Sequence, residues 1–151
     1  MEHAASTAME FNKWACEVCG FELRYPVAES EVTVLALYDD GRYSGRCLLA
    51  QRKHVEHFDD LEPREAHLFV DQIIRYGRVL RTALAVPRVN YAILGNAEPH
   101  LHVHLIPRGG AGDPAPGKNP WSTTRPVVPL EPRQREALVA SLRSALQAVP
   151  S

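Results

Sequence analysis

Two periods of hydrophobic and polar positions run along this chain, and the change from one to the other marks its elements. Val32-Thr33-Val34-Leu35-Ala36-Leu37-Tyr38 is apolar and β-branched, which predicts a strand. Asp39-Asp40-Gly41-Arg42 closes it as a turn, and Arg46-Cys47-Leu48-Leu49-Ala50 reads as the returning strand, with Cys47 a small buried residue. The period then lengthens. After Glu62-Pro63, the residues Ala66, Phe69, Val70, Ile73, Gly77, Leu80 and Leu84 recur at three- and four-residue steps. That spacing predicts an amphipathic helix of about six turns ending before Pro87. Asn90–Leu94 is a further strand, joined by the short Gly95-Asn96-Ala97-Glu98-Pro99 connector to an alternating run from His100 to Pro107. Pro132 opens a second helix whose stripe is Ala137, Leu138, Leu142, Ala145, Leu146 and Val149. Hairpin, helix, hairpin and helix together predict an α+β domain on a single antiparallel β-sheet with two helices.

The flanking and connecting segments fill in the organisation. Residues 1–13 are small and polar, and are expected to be disordered or frayed. Residues 14–151 form one domain, with an arm over 14–30, an irregular segment over 107–130 and the terminal helix over 131–149. Residues 107–132 hold seven of the chain's 12 prolines, with Trp121 as the one large packing anchor.

Composition narrows the partners more than the fold. A length of 151 residues with 45% hydrophobic and 23% charged positions is that of a globular domain. A net charge of −1 argues against nucleic acid or an anionic membrane as partner. No window approaches a membrane span or a signal-peptide core. Three cysteines, two of them in Cys16-x-x-Cys19, point to metal or redox use in a reducing compartment, so the cytoplasm is the expected location.

The run His100-Leu101-His102-Val103-His104-Leu105-Ile106-Pro107 carries the chemistry. In extended chain its histidines share one face, with imidazoles roughly 6–7 Å apart, and its apolar residues share the other. Neutral imidazole is both a metal ligand and a nucleophile, so two readings stand. One is a catalytic zinc site built from the triplet. The other is covalent catalysis, in which one ring attacks phosphorus and its neighbours position it. Upstream, Cys16-Glu17-Val18-Cys19-Gly20 reads as half of a zinc knuckle that needs two further ligands from elsewhere.

The segment His100 to Arg108 resembles the His-x-His-x-His signature of the histidine-triad (HIT) superfamily. Gly45–His54, followed by Asp60-Leu61 and the long helix, is similar to that family's central strand, Lys-x-His turn and helix. Leu35–Asp39 is similar to the preceding strand. The resemblance implies an antiparallel sheet with two helices, usually in a homodimer. It also implies hydrolysis or transfer of a nucleoside monophosphoryl group through a nucleotidyl-histidine, with an AMP-containing nucleotide as the substrate class. His102 would be the nucleophile and His104 would contact the phosphate or the leaving group, while Trp121 and the proline-rich segment would either shape the leaving-group side or serve only as packing. Activity should fall in acid, because a protonated His102 has no lone pair to attack with. Asp39 would hold the ribose, and Asn96 would reach sugar or phosphate. The zinc-containing prokaryotic type further implies a structural zinc on Cys16, Cys19, His54 and His100, with His57 the rival of His54. Arg46 stands where the family often has a fourth pocket histidine; it would either bind phosphate or face outward from its strand. That replacement leaves open a nucleotide-binding module without turnover.

Overall fold

The computed structural model describes residues 12–148, so the expectations for residues 1–11 and for Val149 lie outside the described residues. The arm expected over 14–30 divides in two. Trp14–Ala15 (β1) and Glu22–Leu23 (β2) pair as a small ribbon around the Cys-x-x-Cys turn. Tyr25–Glu29 (β3) instead joins the main sheet. Its Pro26 lowers the strand signal in the sequence, yet proline is tolerated on an edge strand, and β3 is an edge strand with a register shift between Pro26 and Ala28.

The main sheet continues with Thr33–Leu37 (β4), Cys47–Gln51 (β5), Arg88–Ala92 (β6) and His102–Arg108 (β7). Its order is β3-β4-β5-β7-β6, antiparallel throughout. Two helices complete the fold, Pro63–Ala83 (α1) and Pro132–Gln147 (α2). The antiparallel sheet with two helices is therefore the architecture formed. Both helices begin on proline, which lacks the N–H that a first turn leaves unpaired.

One face of the sheet makes the core. Leu35, Leu37, Cys47, Leu49, Val103 and Leu105 meet Phe69 and Leu80 of α1 and Val139, Leu142 and Leu146 of α2. Each large side chain buried there contributes about 2 kcal/mol. Burial also raises the Cys47 thiol pKa, as expected of a small packed residue. Gly77 of α1 leaves room for the end of the Tyr91 side chain of β6, which a Cβ at that position would meet. Val70, expected in the buried stripe of α1, is 40% exposed, so the buried face is narrower than the periodicity suggests. Among the described residues no helix is long and apolar enough to cross a membrane.

The other face carries the histidines and is half covered. Cys16, Phe21 and Leu23 of the ribbon segment pack on Val34, Ala36, Leu48 and Ala50. Register places His102 opposite Ala50, and His104 opposite Leu48 on one side and Ala92 on the other.

Candidate active site and metal cluster

The three histidines are not spread along an open strand as the alternation suggests. His100 lies just before β7 and is fully buried, His102 is 6% exposed, and only His104 is partly open. The cover comes from the ribbon. Phe21 stacks on both His100 and His102, with ring centroids at 5.0 Å and 4.9 Å, and Trp14 meets His100 edge-on at 5.7 Å. Neither aromatic stands out in the sequence, because a single ring beside a Cys-x-x-Cys carries no periodic signal.

Hydrogen bonds to carbonyls assign the ring protons. His100 Nε2 lies 2.6 Å from the Gln51 carbonyl, and His102 Nδ1 lies 2.6 Å from the His100 carbonyl. A carbonyl only accepts, so both nitrogens donate. His100 therefore keeps a lone pair on Nδ1, and His102 keeps one on Nε2. Burial lowers the pKa of His100, although its bond to Gln51 works the other way.

His104 is governed by Arg46. The Arg46 guanidinium donates from Nη2 to His104 Nδ1 at 2.9 Å, so the ring proton of His104 sits on Nε2. Burial first, then the charges of Arg46 and His102, push the His104 pKa down to about 3. Arg46 is itself 5% exposed, so it does not face outward from its strand. Its Nη1 donates to Asp40 at 2.9 Å, and its guanidinium lies 4.3 Å from the Tyr38 ring and 5.8 Å from the Trp121 ring.

Asp40 is fully buried and also accepts from Arg42 through both oxygens. Burial raises its pKa, but the hydrogen bonds and charge of Arg42 and the bond from Arg46 outweigh that and hold it below the usual carboxylate range. In the sequence Asp40 reads only as a turn residue, since nothing local shows that a buried cation six positions later needs it.

Asp39 and Asn96 make no hydrogen bond to these groups among the described residues. The carboxylate of Asp39 accepts from Leu130 N–H at 2.8 Å and from Arg135 at 3.2 Å, tying the end of β4 to α2. A ribose there would share those oxygens. Asn96 is exposed on the connector before His100. Trp121, expected as a packing anchor, is 50% exposed and stands edge-on to His104 at 5.6 Å. Arg108, which ends the histidine run, is buried. It donates to Asp113, Asn90 and the carbonyls of Ala115 and Lys118, which fixes the proline-rich loop beside β7.

On the covered side a second group forms. Cys16, Cys19, His54 and His100 place one ligand atom each within 4.8 Å of all the others. Cys16 Sγ is 3.8 Å from His54 Nδ1, and Cys19 Sγ is 3.5 Å from His100 Nδ1. Zinc in a tetrahedral Cys₂His₂ set requires ligand-to-ligand edges of roughly 3.4–3.8 Å; these two separations match it, the remaining pairs lie within 4.8 Å, and the four donors are of the type that could hold the ion. The bond to the Gln51 carbonyl would also fix the ring of His100 were it to ligate a metal. At Cys16, burial opposes ionisation, but the N–H groups of Cys19 and Val18 outweigh it and lower the thiol pKa. Burial, and the neighbouring Cys16, raise that of Cys19. His57 is exposed beside Glu56. His57, His102 and His104 all lie outside the group.

The fold is shared with known proteins. The fold is similar to a histidine triad protein of Marinobacter aquaeolei VT8, with TM-score 0.73 and 24% identity over 83% of this chain and 90% of that one. It is similar to a zinc-bound histidine triad family protein of Mycobacterium smegmatis, with TM-score 0.59 and 22% identity over 81% and 83% of the two chains. It is also similar to the diadenosine triphosphate hydrolase of Plasmodium falciparum, with TM-score 0.62 and 16% identity over 89% and 84%. The sequence itself matches the HIT domain family over residues 25–111, more than half its length, and the chain belongs to that family.

Proposed function

We propose that this protein is a nucleotidyl hydrolase or transferase that cleaves at the α-phosphate of a nucleoside phosphoramidate, dinucleoside polyphosphate or related adenylyl compound. His102 attacks through Nε2 and carries the nucleotide as a phosphoramidate that water then cleaves. The observation that supports this most is the bond from His102 Nδ1 to the His100 carbonyl, which reserves the Nε2 lone pair for attack. His104 would then donate its Nε2 proton in a hydrogen bond to a phosphate oxygen, as a neutral ring and not as an imidazolium. Arg46 sets that tautomer, and Asn96 is the exposed amide available to sugar or phosphate. Mass spectrometry after mixing with substrate and quenching in alkaline denaturant, in which an acid-labile N–P bond survives, should find a nucleotide on His102, and His102→Ala should lose both adduct and turnover. Tight nucleotide binding with neither adduct nor turnover would overturn the reading in favour of a binding module.

Cys16, Cys19, His54 and His100 would hold a structural zinc, as in the zinc-containing prokaryotic type of the family. The ion would pin the ribbon to the sheet as a closed Cys₂His₂ centre without entering the chemistry. Two thiols kept reduced for metal suit the cytoplasm. A homodimer is the expected assembly, and the exposed Ile74 of α1 and Tyr91 of β6 offer apolar surface for it. Sedimentation of the purified protein tests that state.

A further inference from the structure

The ring of His104 is held by an arginine, and that arginine is held in turn by a buried carboxylate. Beyond the end of β4 the alternation of faces continues into the turn, so Asp39 and Asp40 part. Asp39 bonds to Leu130 and Arg135 on the helix side, whereas Asp40 bonds to Arg46 on the histidine side. Asp40 accepts from the Arg42 N–H, Nε and Nη2 at 3.0 Å each, and from Arg46 Nη1 at 2.9 Å. Those bonds fill the lone-pair sites of an ionised carboxylate, so Asp40 has no capacity left for a substrate or a proton.

Arg46 has the complementary arrangement. Nη1 reaches Asp40, Nη2 reaches His104 Nδ1, and Nε is buried with no hydrogen-bond partner among the described residues. The guanidinium carbon lies 4.3 Å from the centroid of the Tyr38 ring, which constrains the plane of the fork. With Nε unpartnered, the bond to Asp40 is the polar contact that decides where Nη2 points. Burying such an ion pair adds little stability over apolar residues of equal volume. What it supplies here is direction: a donor aimed at one nitrogen of His104, which leaves the ring proton on the other.

We propose that Asp40 is a positioning residue for the reaction: acting through Arg46, it fixes the tautomer and orientation of His104 without touching substrate. The assignment rests on the covalent reading of His102 and on the role of His104 in it. Arg42 extends the arrangement. Its Nη1 donates at 2.9 Å to the Arg125 carbonyl, in the segment whose Trp121 meets the His104 ring edge-on. One carboxylate thus anchors the arginine bonded to His104 and, through Arg42, the loop that brings an indole to the same ring.

The test compares Asp40→Asn, Arg46→Gln and the double variant with the intact wild-type protein, using the nitrophenyl ester of AMP as substrate. Asp40→Asn should lower kcat about tenfold or more with KM little changed, as for a misplaced group that acts in the transition state. In the Arg46→Gln background the same change should add less than about threefold, because the two residues act as a unit. Ring-nitrogen NMR, with His104 assigned from His104→Gln, should show Nδ1 unprotonated and Nε2 protonated in the wild type. In Asp40→Asn both signals should move toward the average of exchanging tautomers. Should Asp40→Asn fail to fold, Asp40→Glu keeps a charge opposite Arg46 while displacing it, and the same pattern is expected. An unchanged kcat, an unaltered ring spectrum in the folded variant, or an Asp40 loss that persists in full without Arg46 overturns the assignment. The spectra need no turnover, so they decide it even where no adduct forms on His102. Absence of that adduct overturns the covalent reading alone.

Discussion

The backbone carbonyl of His100 holds the ring of His102, while the ring of His100 faces the thiols of Cys16 and Cys19. One residue therefore joins the candidate metal cluster to the proposed nucleophile, its side chain facing the first and its main chain holding the second. Phe21 repeats the connection, since it follows the Cys-x-x-Cys turn and stacks on both rings.

The metal cluster should be indispensable to the ribbon. Cys16→Ser should abolish binding of one zinc per chain and lower Tm by roughly 10 °C, as loss of a few kcal/mol does in a domain this size. His57→Ala should retain the metal, and His54→Ala should lose it. Metal analysis with calorimetry on the purified variants checks each outcome.

Phe21→Leu should keep the metal and most of the stability but lower kcat, because the leucine fills space without stacking on His102. Phe21→Ala should in addition cost about 3 kcal/mol, the usual price of emptying a buried aromatic site. Urea unfolding and steady-state kinetics separate the two effects.

Asp40→Asn should be among the most damaging single changes. It leaves Arg46 buried with a neutral partner, and breaking such a pair costs about 3–5 kcal/mol. Asp39→Asn, whose partners are Leu130 and Arg135 nearer the surface, should cost less. Urea midpoints at neutral pH give the comparison.

Acid should destabilise the protein through His104. Its folded pKa of about 3 lies below the unfolded imidazole value of about 6.5, so the unfolded chain takes up this proton first. The contribution is present in full above the unfolded value and is lost as pH falls through the folded one. Arg46→Gln removes one cause of the depression, so the urea midpoint of that variant should change less steeply between pH 7 and pH 4.5 than that of the wild type.

How much of this was legible in the sequence depends on whether the information was periodic. Val32–Tyr38, the stripe of α1 and the run from His100 to Arg108 declare themselves by spacing, and the sheet with two helices follows. The four metal-fitting residues were legible through resemblance, since Cys16 and His100 lie far apart in sequence and no local pattern joins them. Asp40 and Phe21 were not legible in their present roles, whereas Trp121 was legible as a packing anchor or a wall of the leaving-group side, with no local pattern to choose between them. Asp40 and Phe21 act through long-range contacts, with Arg46 and with His100 and His102, that tertiary packing alone creates. The strand β3 was hidden for a different reason, because Pro26 interrupts it and only an edge position tolerates that.

The ribbon that carries Cys16 and Cys19 has only four strand residues, too few to hold its place unaided. Beneath it lie Val34, Ala36, Leu48 and Ala50, a flat hydrocarbon surface on two adjacent strands. If the cluster holds zinc as proposed, a chain deprived of it, or oxidised at its paired thiols, should peel back this cover and turn that surface to other molecules. Metal starvation should then be felt first as self-association, before any loss of helix.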